Sequence, residues 1–455
     1  MIQELAQDEG APTAPASSSI SSPFLARLAR GAILALAIQV LGAGLTYLSQ
    51  VAFARWMGLS QFGVYAYLTA WATVLALLGG LGFPMSVLRF IPEYRARGDR
   101  ERLRGLVRVS RRATLAASFA MALVGVVVVA IFFSGGTAVA AGIAIWLVPA
   151  GALINLDTSI IRAGGRVLGA YAPSLVIRPL LILFGTAVVW FAWGRLTAST
   201  GFIITLAVFV IVALIQSMLV RDVVHRDRSP RPAIYERRLW LQVSAPLLLV
   251  AGFQIALGQT DLLVVGGVGG VRDAALYQAA SKTATLVGYL LVAFSAVAAP
   301  LFSEFEARGD RAGLQRLATI SAQWVFWPTL IMALGLALLA PYILELFGPE
   351  FVAARWALII LLFGQLVSAG CGAVGYLLGM TGHQNDLARV YGVTSVVNIA
   401  ICYAGAAAFG LTGAACATTF SLIVWNIWLH YLTTRRIGVR ASIVSALILK
   451  RKSAT

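Results

Sequence analysis

The sequence predicts an all-α polytopic membrane protein of 12 transmembrane helices, arranged as two six-helix lobes related by a pseudo-two-fold axis along the membrane normal. Three observations predict it. The first is composition: 60% of the 455 residues are hydrophobic and 12% charged, with a mean hydropathy of +0.86, values that suit lipid rather than water as the surrounding solvent. The second is a repeat: Glu93-Tyr-Arg-Ala-Arg-Gly-Asp-Arg100 with Leu103 and Leu106 returns, at an offset of 211, as Glu304-Phe-Glu-Ala-Arg-Gly-Asp-Arg311 with Leu314 and Leu317. Each copy follows a long apolar run, as two related membrane halves require. The third is an alternating distribution of basic residues between successive loops.

Since a crossing helix needs about 20 mostly apolar residues, the chain divides into twelve spans. The first half carries Ala32 to Phe53, Val64 to Leu88, Ala113 to Phe133, Ala138 to Leu156, Gly169 to Phe191 and Ser199 to Val220. The second carries Leu241 to Gly267, Leu276 to Phe302, Ile320 to Ala340, Trp356 to Leu378, Val390 to Phe409 and Ala414 to Leu432. The expected organisation is a disordered tail with an interfacial lead-in (1–30), an N-lobe (31–220), a polar linker (221–238), a C-lobe (239–433) and a basic tail (434–455). The first 22 residues lack a basic region leading into an apolar core, so they read as a tail and not a signal peptide. Ala441 to Lys452 could lie along the membrane as a short amphipathic segment.

Orientation follows from Lys and Arg. Twenty-nine of them fall in the segments that are cytoplasmic if the N-terminus is inside, against Arg55, Arg195, Arg272 and Arg355 on the other side. This bias predicts both termini on the cytoplasmic side. The net charge of +17 then has the anionic inner leaflet as its partner, each nearby basic residue adding about 1 kcal/mol of attraction. The run from Arg95 to Arg112 lacks the aromatic interleaving of a nucleic-acid surface. Cys371, Cys402 and Cys416 lie in apolar runs and read as small hydrophobes. His225, His383 and His430 lack zinc-ligand spacing, so no metal or other cofactor is expected.

Beyond the repeat, Gly63-Val-Tyr65 corresponds to Ala275-Leu-Tyr277 at an offset of 212. Together with Arg55-Trp-Met-Gly-Leu-Ser-Gln-Phe-Gly-Val-Tyr65, Leu81-Gly-Phe followed by Arg89, Leu346-Phe-Gly-Pro-Glu-Phe351 and Phe409-Gly-Leu-Thr-Gly-Ala-Ala-Cys-Ala-Thr418, these residues give a chain that resembles the polysaccharide and lipid-linked oligosaccharide flippases. Those are relatives of the multidrug and toxin extrusion transporters. The resemblance covers about Gly31 to Leu432 and implies an alternating-access flippase whose lobes enclose a central cavity. It implies an anionic, undecaprenyl-pyrophosphate-type oligosaccharide as substrate, possible assembly proteins as partners, and H+ or Na+ as a coupling ion. Span 1 offers Gln39, Thr46, Ser49 and Gln50 but no carboxylate, a departure from the acidic residue that drug-extruding relatives commonly keep there.

Other classes compete. A major-facilitator exporter shares the span count, but its loop signature spaces Gly and Asp four apart, whereas Gly98-Asp99 and Gly309-Asp310 are adjacent. A membrane polysaccharide polymerase or ligase would need acid, base or nucleophile groups gathered at an aqueous face. The short outward loops offer only Glu345, Glu350 and Asp273, and there is no Walker loop for ATP.

Ionisable residues inside spans cost about 2.5 to 3.5 kcal/mol on insertion scales and normally face a cavity or a partner. Arg178, about ten residues into span 5, is expected either to meet a substrate phosphate or to pair with Asp157. Asp261 and Lys282, at similar depth on spans 7 and 8, are expected either to pair with each other or to serve separately in coupling and substrate contact. Their first-half equivalents are Ser49 and Ala70. Arg89, Arg162, Arg166 and Arg389 lie at inner span ends, where they either snorkel to headgroups or form a cationic vestibule whose forked donors suit pyrophosphate. Gln39, Gln50, Gln254, Gln259, Tyr65, Tyr277 and Asn398 can bond sugar hydroxyls or join helices. Pro173, Pro179, Pro246, Pro300 and Pro328 supply places to kink.

Overall fold

The computed structural model describes residues 22–225, 232–443 and 445, which are overwhelmingly helical and contain no strand. Most of the expected N-terminal tail, the middle of the linker and the end of the basic tail lie outside the described residues.

Helix α1, Ser22–Gly79, holds spans 1 and 2 across a break at Gly58 (φ 76°, ψ 168°). The chain folds back there: Phe53 and Tyr65 have ring centroids 4.5 Å apart, whereas twelve residues of straight helix would separate them by about 18 Å. Span 2 breaks again at Leu81 (φ 51°) and Gly82 (φ 75°) before α2, Phe83–Ala96. Span 3 is α3, Arg100–Phe132, and span 4 is α4, Gly135–Ala144, with α5, Leu147–Ala163. Span 5 comprises α6, Val167–Ala172, a π-helical turn at Pro173–Ile177, and α7, Arg178–Trp193. Helix α8, Ala198–His225, completes the half.

The second half opens with α9, Arg237–Val268, and α10, Gly270–Ala307. Next come α11, Arg311–Leu338, and a tenth span built from α12, Ala340–Glu345, a 3-10 turn at Pro349–Ala354, α13, Arg355–Cys371, and α14, Val374–Met380. Helix α15, Gln384–Ile437, holds the last two spans across Gly410 (φ 58°). It too folds back, with Gly405 and Gly413 packed backbone to backbone. Among the described residues nine helical stretches are long and apolar enough to cross a membrane. Two of these, in α1 and α15, each contain two spans, and α10 supplies the twelfth. The twelve-span, two-lobe expectation therefore stands.

The repeated motif is a pair of helix stops and starts. Gly98 (φ 70°) and Gly309 (φ 67°) take the left-handed conformation that closes a helix, which glycine adopts without a Cβ clash. Asp99 then accepts from the Arg102 amide at 3.1 Å and Asp310 from the Gly313 amide at 2.8 Å, each filling one of the orphan donors of the next helix. The preceding turns carry matching ion pairs, Glu93 with Arg97 and Glu304 with Arg308.

One apolar core runs through both lobes at the end bearing Gly58 and Gly270 and divides into two at the end bearing the repeat loops. At the joined end Phe62 meets Phe351 and Tyr47 meets Phe347. There Tyr47 also bonds Thr283 at 3.1 Å, and Arg55 donates to the Glu345 carbonyl at 3.0 Å. At the divided end α9 stays against the first lobe: Trp240 donates to the Tyr94 hydroxyl at 2.9 Å and Ser244 to Ser86 at 2.7 Å. A Cβ at Gly82 would stand 2.1 Å from the Ser244 carbonyl oxygen, so only glycine permits this approach, in addition to its positive φ.

Candidate functional site

Each lobe contains a polar knot at corresponding positions. In the N-lobe Tyr65, buried between Phe53 and Phe202, shares a 3.0 Å hydrogen bond with Thr205 of α8. In the C-lobe Tyr277, also buried, lies 2.9 Å from Thr418 of α15. The tyrosines are related by the offset of 212 and the threonines by 213, so the shared geometry is a product of the repeat.

What differs is the charge beside each knot. Arg178 opens α7 directly after the π-helical turn, a local widening that inserts an extra residue and re-aims those that follow. Its guanidinium lies 5.2 Å from the centroid of the Phe209 ring on α8, a cation–π contact that gains strength where water is scarce. Among the described residues no carboxylate is within ion-pairing reach of Arg178. Ser49 donates to the Pro179 carbonyl at 3.2 Å and so fastens span 1 to the first turn of α7.

In the C-lobe the buried Asp261 accepts from Tyr277 at 3.1 Å and from Asn398 at 3.1 Å. The Asn398 Oδ1 is buried without a hydrogen-bond partner. A carboxylate, two hydroxyl oxygens and a spare amide oxygen thus converge, with no cationic side chain paired to them among the described residues. Such a group of oxygens can take up a proton or a small cation.

Both charge pairings proposed from depth give way to other partners. Lys282 makes no ion pair with Asp261, whose oxygens are met by Tyr277 and Asn398. Asp157 is engaged by Arg111 rather than Arg178: Arg111 Nε lies 3.2 Å from Asp157 Oδ1, Arg111 Nη2 donates to Ser217 at 2.6 Å, and Ser217 donates to Asp157 Oδ2 at 3.2 Å. The Nε and Oδ1 atoms are close but not aligned for a hydrogen bond, so the serine carries the directional part of the link. Depth along a chain fixes height in the bilayer but not azimuth, which turns about 100° per residue.

The remaining expected residues are dispersed. Arg166 pairs with Asp222 at 3.3 Å, Arg389 with Asp386 at 3.7 Å, and Arg162 donates to Tyr171 at 3.0 Å. Arg89 is exposed, with Phe90 beneath it. Gln50 accepts from Gln278 across the lobe junction at 3.4 Å, while Gln39 is half-buried on span 1. Sequence reasoning passed over Thr205, Phe209, Thr418, Arg111 and Ser217. The threonines carried a usable signal, the near-repeat spacing from their tyrosines.

A fold of this kind is shared with solved transporters. An inward-facing multidrug resistance MATE family transporter of the MOP superfamily superposes with a TM-score of 0.67 at 17% identity, covering 90% of this chain and 98% of that one. MATE in the bent conformation gives 0.61 at 16% identity over 94% and 97%. A MOP superfamily transporter from Pyrococcus furiosus, described as having a binding pocket of reverse polarity, gives 0.62 at 13% identity over 90% and 96%. No curated protein matches the sequence. The architecture is therefore that of the MATE-like membrane proteins. The model of the polysaccharide biosynthesis protein family matches residues 28–306, more than half the chain, and the chain belongs to that family. Family and fold together support a membrane transporter.

Proposed function

We propose that this protein is an alternating-access flippase that carries an anionic lipid-linked oligosaccharide, of the undecaprenyl-pyrophosphate type, from the inner to the outer leaflet of a bacterial inner membrane for polysaccharide biosynthesis. The observation that carries the reading is Arg178, a cation held in the membrane interior with an aromatic face and no carboxylate beside it. Such a charge is costly in lipid and offsets that cost when an anion arrives. Arg89 and Arg162 meet pyrophosphate at the inner mouth, Arg166 and Arg389 being held by Asp222 and Asp386, and Lys282 supplies a further cation. Gln39 and Gln50 bond sugar hydroxyls, while Tyr65 and Tyr277, buried with their hydroxyls held by Thr205 and Thr418, join helices. Asp261 responds to H+ or Na+ and so links flipping to an ion gradient. The divided cores at the basic end leave the lobes free to part there, and the joined outer core is the region that opens in the other half of the cycle.

Purified protein in vesicles should flip a labelled lipid-linked sugar without nucleotide or sugar donor. At matched abundance Arg178→Ala should abolish that activity and Arg178→Lys should keep part of it. Full activity in Arg178→Ala would overturn the assigned role. Orientation is checked separately in a background lacking Cys371, Cys402 and Cys416. Cysteines at Gly135 and Gly348 should label from outside, those at Gly98 and Gly309 should not, and the reverse pattern would invert the topology.

A further inference from the structure

A second group of arginines, remote in sequence from Arg178, surrounds a cavity of about 350 Å³ where α3 meets the start of α9. Arg108 and Arg112 stand one turn apart on the exposed side of α3, and Arg237 is the first residue of α9. Between them is Tyr235, whose hydroxyl accepts from Arg108 at 3.4 Å and whose ring has the Arg237 guanidinium 5.9 Å from its centroid. Phe83 and Leu241 give the cavity an apolar floor.

Neighbouring arginines have carboxylate partners. Arg102 pairs with Asp99 and Glu236, and Arg111 with Asp157. Arg108, Arg112 and Arg237 have none within reach among the described residues. Three like charges around one opening repel, and a bound anion relieves that repulsion. The same field, led by the Arg108 hydrogen bond, holds the Tyr235 phenol below its ordinary range.

Position narrows the anion's identity. Spans 3 and 7 begin at Ala113 and Leu241, so the arginine rim lies where basic loops pass into apolar helix, beside an apolar floor. That arrangement suits an amphiphile whose charged part is a phosphate, for which arginine's forked donors are matched. The repeat does not demand these charges, since the equivalents of Arg108 and Arg112 at an offset of 211 are Thr319 and Gln323. The walls come from both halves of the chain, beside the Gly82 and Ser244 contact.

We propose that this cavity binds the phosphate of an anionic membrane lipid, which fastens α9 to α3 and stabilises the arrangement with the lobes divided at the basic end. The site is separate from Arg178 and does not depend on the identity of the transported molecule.

The test uses the full chain in nanodiscs of phosphatidylcholine, with and without cardiolipin or phosphatidylglycerol. Native mass spectrometry reads retained lipid and a melting curve reads stability. Anionic lipid should be retained by the wild type and should raise its Tm. Arg112→Gln alone, which removes a side chain without a hydrogen-bond or ion-pair partner among the described residues, should weaken retention about fivefold, the equivalent of one interfacial basic residue. The triple variant Arg108→Gln, Arg112→Gln, Arg237→Gln should lose both effects, while Arg316→Gln on α11 should keep them. Wild-type retention in both the single and triple variants would overturn the site, and this outcome leaves the Arg178 reading untouched. An equal rise in Tm from inorganic pyrophosphate in pure phosphatidylcholine would show a soluble phosphate as the ligand and overturn the lipid assignment.

Discussion

The two lobes share a tyrosine–threonine knot and differ in the sign of the charge beside it. In the first, Tyr65 and Thr205 are accompanied by Arg178 against Phe209. In the second, Tyr277 and Thr418 are joined by Asp261 and Asn398. The repeat supplies a scaffold in which a polar residue can be held inside the membrane. Substitution on that scaffold changes the sign of the charge beside the knot, Arg178 in one lobe and Asp261 in the other, and under the proposed function it sets the ligand that each lobe favours. Ser49 is the N-lobe equivalent of Asp261 and is used to tie α1 to α7 instead. Arg178 and Asp261 lie in different lobes, so neither neutralises the other as a salt bridge.

The largest expected effect comes from removing the C-lobe charge. Asp261→Ala should eliminate any dependence of flipping on an H+ or Na+ gradient, and it should cost about 1–3 kcal/mol by leaving buried donors of Tyr277 and Asn398 unpaired. Flux under imposed gradients measures the first effect and thermal unfolding in detergent the second. Gradient-dependent flux surviving in Asp261→Ala would end the division of labour between the lobes.

Next is Asp157, whose partner is Arg111 and not Arg178. Arg111→Ala should destabilise the N-lobe by about 1–3 kcal/mol, because the buried Asp157 loses its ionic partner and keeps only the bond from Ser217. Adding Asp157→Asn should recover much of that loss, whereas Asp157→Asn should not rescue Arg178→Ala. A double-mutant cycle on Tm reads both couplings. Rescue of Arg178→Ala would return Asp157 to Arg178 and make the N-lobe cation a structural one.

The smallest effect is the sharpest check on the shared knot. Tyr65→Phe removes a bond between neutral hydroxyls, worth about 0.5–1.5 kcal/mol, while Tyr277→Phe also removes a bond to a carboxylate, about 1.5–3 kcal/mol. Denaturation of the two single variants should therefore rank Tyr277→Phe as the more damaging. Equal costs would mean that Asp261 is neutral in the resting protein.

The sequence was sufficient for everything that depends on one-dimensional periodicity. Span count follows from the length of apolar runs against bilayer thickness. Lobe duplication follows from the repeated Glu93 and Glu304 segments, and the adjacent Gly98-Asp99 and Gly309-Asp310 mark helix ends because glycine tolerates positive φ and aspartate caps amides. It also identified Arg178, Asp157, Asp261 and Lys282 as the charges that need explaining, since hydropathy alone shows which ionisable groups sit in lipid. Partner choice was settled only by the tertiary structure. Arg111 belongs by sequence to a basic loop, yet its long side chain reaches the buried Asp157. Asp261 and Lys282 share a depth, yet Asp261 turns toward Tyr277 and Asn398. The π-helical turn before Arg178 and the break at Leu81 and Gly82 likewise shift azimuth in ways that residue spacing does not encode. The physical reason is the same in each case. Height in a membrane is set by transfer free energy summed along one helix, whereas contact requires the rotation and packing of several helices at once.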